Sequence, residues 1–327
     1  MGHFTELKDA DAAELCAQFG IEGTVSVKPI AAGTTNSNYR VETANARYFL
    51  RVNEGKSEHE VQFEVSVLTH LVAAGVPTLL PLATASGLRY AIFAGKFVSV
   101  FPWRDGTHSE SKNISQSECS AIGVVLAQLH LAGKSMSTTH VGRFTTAAVR
   151  NEFEAFCASP DPRLADALNA LQAEFSWLEQ HETQRRSQPR GLIHADLFPD
   201  NVLMQDGAVV ALLDFEQACD GAYCYDLAVC LNAWCFAEAL SFDRVSALLC
   251  GYQKVRRLSV SEARGLHVEV RAAAVRFLVT RIRDIHLPAP EQAPEGKDFR
   301  RFLMRLQTWQ SLPPNQLADL SAASPTL

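Results

Sequence analysis

The spacing of hydrophobic residues changes along the chain, and the change divides it into regions of different character. Leu15 and Phe19, four apart, mark a short helix over residues 7–20. From residue 24 the period shortens. Val25, Val27 and Ile30 lead in, Tyr39-Arg40-Val41 alternates, and Tyr48-Phe49-Leu50-Arg51-Val52 reads as another strand. Ser57-Glu58-His59-Glu60 then has the form of a capping box, in which the fourth residue reaches back to the cap amide. Behind it Val61, Val65, Leu68 and Val72 form an apolar stripe at helical spacing, which Gly75 and Pro77 end. Residues 79–101 return to strand character around 89–92 and 97–101. The first hundred residues are mostly sheet with one sizeable helix.

After Pro102 helices dominate. Ser115-Gln116-Ser117-Glu118 is a second capping box, followed by Ile122, Val125, Leu126 and Leu129 and closed at Gly133. Leu164, Leu168, Leu171, Phe175 and Leu178 keep a helical period over 160–185. Residues 192–215 interrupt it with two short apolar strands around Asp206-Gly207, a strong hairpin signal. Helices resume over 224–239, 241–256 and 260–286, the last behind the box Ser259-Val260-Ser261-Glu262. The expectation is an α+β, bilobal protein. A small β-rich lobe occupies 1–102 and a larger, mainly helical lobe 103–327, with a hinge near 97–105.

Composition narrows the function. The chain has 327 residues, is 47% hydrophobic and 20% charged, and carries a net charge of −6. That balance excludes a disordered chain, and the acidic excess argues against a nucleic-acid partner, which needs basic charge to neutralise phosphates. No apolar run approaches the ~20 residues of a membrane span. No secretion signal is read at the N-terminus, and Met1-Gly2 lacks the Ser or Thr of a myristoylation motif because residue 6 is Glu6. The eight cysteines form no C-x-x-C pair and are expected to be reduced thiols of a cytoplasmic protein.

Residues 191–203, Gly-Leu-Ile-His-Ala-Asp-Leu-Phe-Pro-Asp-Asn-Val-Leu, contain H-x-D-x-x-x-x-N, and the hairpin turn leads on to Leu212-Leu213-Asp214-Phe215. Apolar neighbours force the polar groups to the ends of buried strands. Asp196 on such a loop can orient a hydroxyl and accept its proton. Asn201 can turn an amide oxygen towards a divalent cation, and Asp214 can bridge that cation to nucleotide phosphates. Hard oxygen ligands suit Mg²⁺, and phosphoryl transfer needs little beyond such positioning and charge neutralisation. The plain alternative is a carboxylate-capped hairpin in a structural domain.

This motif set resembles the protein-kinase-like fold in its aminoglycoside-phosphotransferase branch. The resemblance implies ATP and Mg²⁺ as cofactors and a small-molecule acceptor. It places a phosphate-covering loop at Gly33, Thr34, Thr35, Ser37 and Asn38, although G-x-G-x-x-G is lacking. It places Arg51 where the fold usually has a lysine, with Glu64 as its ion-pair partner; a solvated surface pair is the alternative. Adenine would lie against residues 97–103, which include Phe101. His194 is then a brace in the catalytic loop, since a base must reach the acceptor hydroxyl directly. Leu129-His130-Leu131-Ala132-Gly133, residues 226–236, Gly251-Tyr252-Gln253-Lys254-Val255-Arg256 and residues 277–281 further resemble homoserine kinases of this fold. That likeness implies phosphorylation of the L-homoserine hydroxyl, a step towards threonine, with Asp226 as a structural acid bracing the catalytic loop. Glu216-Gln217 stand where that family often has an aromatic pair. Glu216, Asn232 and Trp234 are the candidates for lining the acceptor; the alternatives are a solvated loop acid for Glu216 and a core position for the helical Trp234. The departures keep open a kinase for another amino alcohol or a sugar, and a nucleotide-binding pseudokinase.

Overall fold

The computed structural model describes residues 5–30, 36–136, 140–289 and 296–322. Two compact units emerge, one made of Met1–Thr107 with Val210–Glu216 and the other of His108–Val209 with Gln217–Leu327. A segment remote in sequence thus belongs to the first unit.

The first unit is built on α1 (Asp9–Gln18), β1 (Thr24–Ile30), β2 (Ser37–Thr43), β3 (Arg47–Asn53), α2 (Glu58–Ala73), β4 (Ala91–Phe93) and β5 (Lys96–Pro102). The strands form one antiparallel sheet in the order β1-β2-β3-β5-β4. Leu15 and Cys16 of α1 share a core with Val41, Leu50, Val52, Val98 and Val100. Strand alternation turns Arg51 to the face opposite Leu50 and Val52. The Ser57 box forms as expected, its hydroxyl accepting from the Glu60 amide. The buried face of α2 differs from the expected stripe. Val61, Glu64, Val67, Leu68 and Leu71 are inside, while Val72 is 38% exposed. Glu64 lies on this buried face, where its carboxylate pairs with Arg51 and Lys56, a charge contact that apolar spacing alone cannot register.

The second unit contains α3 (Gln116–Gly133), α4 (Thr146–Glu154), α5 (Ala165–Gln180), α6 (Glu182–Arg186), β6 (Arg190–Ile193), β7 (Val202–Gln205), β8 (Ala208–Leu212), β9 (Cys219–Ala222), α7 (Tyr223–Trp234), α8 (Phe242–Val255), α9 (Val260–Arg281), α10 (Arg300–Ser311) and α11 (Gln316–Ala322), the far end of β8 passing into the first unit. The boxes at Ser115 and Ser259 both form. Asp206 and Gly207 turn the β7–β8 hairpin, both at positive φ (52° and 77°). Helix α9 is buried on every side from Gly265 to Val279, as befits the axis of the unit.

Helices α3 and α8 approach closely enough that only glycine fits at the crossing. A Cβ on Gly251 would lie 2.1 Å from the Ser120 carbonyl oxygen, and one on Gly123 would lie 2.2 Å from that of Leu248. Backbone atoms cannot give way as a flexible side chain can, so the helices must separate. Gly251→Ala is expected to destabilise the protein by roughly 1–3 kcal/mol, read as a lowered melting temperature; an unchanged melting curve would mean that the crossing is not tightly packed.

Candidate active site

In the second unit, β6 pairs antiparallel with β9, Ile193 opposite Cys219, and delivers the chain into the 194–201 loop. The loop is held by one buried carboxylate. Asp226, in the first turn of α7 and fully buried, accepts the His194 amide at 2.8 Å and the Ala195 amide at 2.7 Å. His130 Nε2 completes the set at 3.0 Å, and its Nδ1 meets the Tyr252 hydroxyl at 2.7 Å. Burial would raise the Asp226 pKa, but these donors hold it below the ordinary carboxylate value. The clamp fixes Ala195 at φ +63°, a conformation that side chains other than glycine rarely adopt. His194 is itself buried, and its Nδ1 accepts the Asp196 amide at 3.3 Å. Its ring braces the backbone beneath Asp196.

Asp196 is left partly exposed at the apex, its side chain 29% accessible. Arg276 of α9 donates to the Ala195 carbonyl and sits 3.4 Å from Asp196 Oδ1. Asn201 Nδ2 donates to the Asp196 carbonyl at 2.8 Å and lies 3.4 Å from Asp196 Oδ2. The loop therefore holds Asp196 and Asn201 together on a braced frame, with the Asp196 carboxylate partly exposed.

The first unit carries a second polar cluster. Arg51 Nη1 donates to Glu64 Oε1 at 3.0 Å, and Lys56 Nζ donates to Glu64 Oε2 at 2.8 Å, with both side chains of the Arg51–Glu64 pair only 10% accessible. Lys56 also reaches Glu216 Oε2 at 3.4 Å, and Arg51 lies 3.7 Å from Asp214 Oδ1. Asp214 has φ +60°, and its Oδ1 is buried without a hydrogen-bond partner among the described residues. Two cations thus face three carboxylates. Burial above all, opposed by Arg51 but reinforced by Glu216 and Glu64, pushes the Asp214 carboxyl up to about 7. Arg51 stays charged despite its burial because Asp214, Glu64 and Glu216 surround it. A cluster one positive charge short, with an orphaned carboxylate oxygen, fits a divalent cation. Among the described residues no three His, Cys, Asp or Glu side chains gather as a metal cage. Asp214 would be the side chain here to hold such a cation, which would supply charge neutralisation.

The other expected residues fall in several places. Gly33, Thr34 and Thr35 lie outside the described residues. Ser37, on β2, donates to Glu54 Oε1 at 2.7 Å, and Asn38 stands opposite Arg51 in the β2–β3 register. Phe101 on β5 packs 6.0 Å from Phe49, with the Arg51 guanidinium over both rings. Glu216 is no solvated loop acid, since it accepts from Asn36 at 3.1 Å and pairs with Lys56. Asn232 and Trp234 are corrected: both are fully buried and line no acceptor site. Asn232 spans the Ala228 and Val270 carbonyls and the Trp309 indole, and Trp234 donates to the Leu197 carbonyl at 2.9 Å. A buried amide and indole need such partners, so both became braces of the core behind the loop. Lys56, Arg276 and the role of His130 were missed. Only the basic residue between strand and helix hinted at Lys56; the other two depend on contacts across about 80 to 100 residues.

Comparison with known proteins settles the kinship. The phosphotransferase enzyme family is matched over residues 26–247. The chain belongs to this family. Homoserine kinase of Afipia carboxidovorans is 34% identical over 315 residues, covering 95% of each chain, and that of Methylobacterium radiotolerans is 34% identical over 312 residues, covering 94% of this chain and 95% of the relative. Among solved structures, amicoumacin kinase hAmiN in complex with AMP-PNP, Ca²⁺ and Ami superposes with a TM-score of 0.69 at 15% identity, over 89% of this chain and 90% of the other. A microcompartment-associated aminopropanol kinase gives 0.67 at 18% identity, over 92% and 95%. The bilobal kinase-like α+β fold is thereby shown, and with family membership comes ATP-dependent phosphoryl transfer to a small molecule. No helix among the described residues is long and apolar enough to cross a membrane.

The clamp has a pH signature. Burial holds the His130 pKa below its ordinary value, more than Asp226 can offset. The unfolded chain therefore binds a proton at this residue, near pH 6.5, before the folded one does. Stability is expected to fall as pH drops below about 6.5. His267, which burial and Arg271 push down to about 4, adds to the same slope. The test is the melting temperature of wild type and His130→Gln between neutral and mildly acidic pH; equal slopes would remove His130 from the account.

Proposed function

We propose that this phosphotransferase transfers the γ-phosphoryl group of ATP to the side-chain hydroxyl of L-homoserine. The reading is carried by one observation: the Asp226-clamped loop presents Asp196 partly exposed at its apex, in a chain that matches relatives named homoserine kinase over nearly its whole length. Asp196 orients the hydroxyl and takes its proton as the oxygen bonds phosphorus. The bond between that phosphorus and the β,γ-bridging oxygen breaks, and ADP leaves. Arg51, held by Glu64, faces phosphate and is joined by the Lys56 ammonium, which stands in for the lysine this fold usually has on the strand. Asp214 and Asn201 are the side chains assigned to Mg²⁺, which neutralises phosphate charge when bound. Phe101 and its β5 neighbours are assigned to adenine, and Ser37 and Asn38 to the phosphate-covering turn.

Asp196→Ala is expected to lower kcat by about a thousandfold or more while Mg·ATP binding persists; parallel loss of both would remove Asp196 from the chemistry. Asp214→Ala should instead weaken Mg·ATP binding itself, seen by calorimetry, and an unchanged affinity would cancel the metal assignment. Coupled ADP detection with L-homoserine, related amino alcohols and sugars identifies the acceptor. Turnover of another compound above L-homoserine would replace the substrate named here, and absence of ADP release with all of them would favour a pseudokinase.

A further inference from the structure

Most buried arginines of the second unit are closed by a carboxylate. Arg271 is bound by Glu174 at 2.6 Å, Arg256 by Glu262 at 2.7 Å and Arg185 by Glu269 at 2.9 Å. The cleft of about 400 Å³ beside β6 and β9 is similar, with Arg185 and Arg190 on its wall already paired. One group differs. Arg305 of α10 is only 4% exposed, yet it has no carboxylate partner among the described residues, and its Nε is buried without a hydrogen bond.

Its neighbours are also cations. The Arg305 guanidinium lies 4.5 Å from the centre of the Phe302 ring, and the Arg281 guanidinium lies 4.5 Å from the same centre. Arg281 spends one nitrogen on the Gly296 carbonyl at 2.8 Å, and Arg301 Nη1 comes within 3.4 Å of where a Cβ on Gly296 would stand. Arg281 ends α9 where the helix widens into a π turn over Ile282–His286, a local distortion common at functional sites. Burial, with the mutual repulsion of these cations, pushes Arg281 down to about 10 and Arg305 to about 9. Packing guanidiniums on one ring stack leaves a charge deficit that an anion would satisfy.

The cluster stands beside the catalytic loop. Phe198, two residues after Asp196, packs edge-on against Phe277 at 4.7 Å and tilted against Phe302 at 6.2 Å. Asp196 and Asp200 are among the acids whose charges act on Arg281. The arginine cluster is thus within electrostatic reach of Asp196 and shares its ring packing with the loop that carries it.

We propose that Arg281 and Arg305, on either side of the α9–α10 contact and sharing Phe302, seat the carboxylate of the acceptor. The proposal rests on the reading of Asp196 as the residue that meets the acceptor hydroxyl, and it makes the arginines the group that selects a hydroxy-amino acid over an amino alcohol. The guanidinium fork matches a carboxylate bidentately and gives the strongest class of hydrogen bond available to it.

The experiment compares wild type, Arg305→Met and Arg281→Gln on L-homoserine and on 3-amino-1-propanol, which is L-homoserine without its carboxylate. In each variant the ratio of kcat/KM for L-homoserine to that for 3-amino-1-propanol should fall about 10- to 100-fold, chiefly through KM. A ratio that stays within twofold of wild type overturns the proposal, because a merely structural role lowers both alike. Arg281 is only half-buried, so its variant keeps the test open if Arg305→Met fails to fold. Titration calorimetry with L-2-aminobutanoate, which keeps the carboxylate and lacks the hydroxyl, reads the seat without turnover. Weaker binding to Arg281→Gln supports the seat, and equal binding overturns it. Wild type that binds this compound but phosphorylates neither acceptor would sink the proposed reaction and leave the carboxylate seat standing.

Discussion

One buried carboxylate holds the catalytic loop in place. Asp226 has no exposure, and it exists as an anion only because two backbone amides and the His130 imidazole point at it. A carboxylate buried without such donors would take up a proton or unfold its surroundings. The same two amide bonds hold Ala195 in a strained conformation, and that turn lifts Asp196 out of the strand line to the apex of the loop. Trp234 and Arg276 secure the carbonyls of the same loop, so its amides and carbonyls both have fixed partners. The result is a partly exposed carboxylate on a frame whose backbone groups are already held.

The first unit solves a different electrostatic problem. Cations buried in a site of low dielectric are costly unless acids pair with them. Glu64 offsets that cost by holding Arg51 and Lys56 together on the buried face of α2. The cluster still carries one carboxylate too many, and burial with the neighbouring acids pushes the Asp214 carboxyl up to about 7. The arginines about Phe302 are the inverse case, cations in excess of acids.

Much of this was legible beforehand. Each Ser-x-x-Glu box started a helix where it stood, because a cap is a contact over three residues. The five strands of the sheet and the Asp206-Gly207 hairpin followed from alternation and turn chemistry. The loop pattern around Asp196 and Asn201 was readable because its spacing is dictated by the geometry of one loop. Strands β6 and β9 and the helices α4, α10 and α11 were not read, being short or having polar residues in their apolar spacing.

Local order, the helix starts, the strand edges and the chemical identity of the catalytic loop were determined by the sequence itself, since each depends on residues a few positions apart. Tertiary structure decided which side chains became partners. It put Asn232 and Trp234 into the core, drew Glu216 to Lys56, gave Asp226 its histidine from α3, and gathered Arg281 and Arg305 on one ring. Those pairings join residues tens to more than a hundred positions apart, and a charge's neighbours in space leave no periodic trace along the chain.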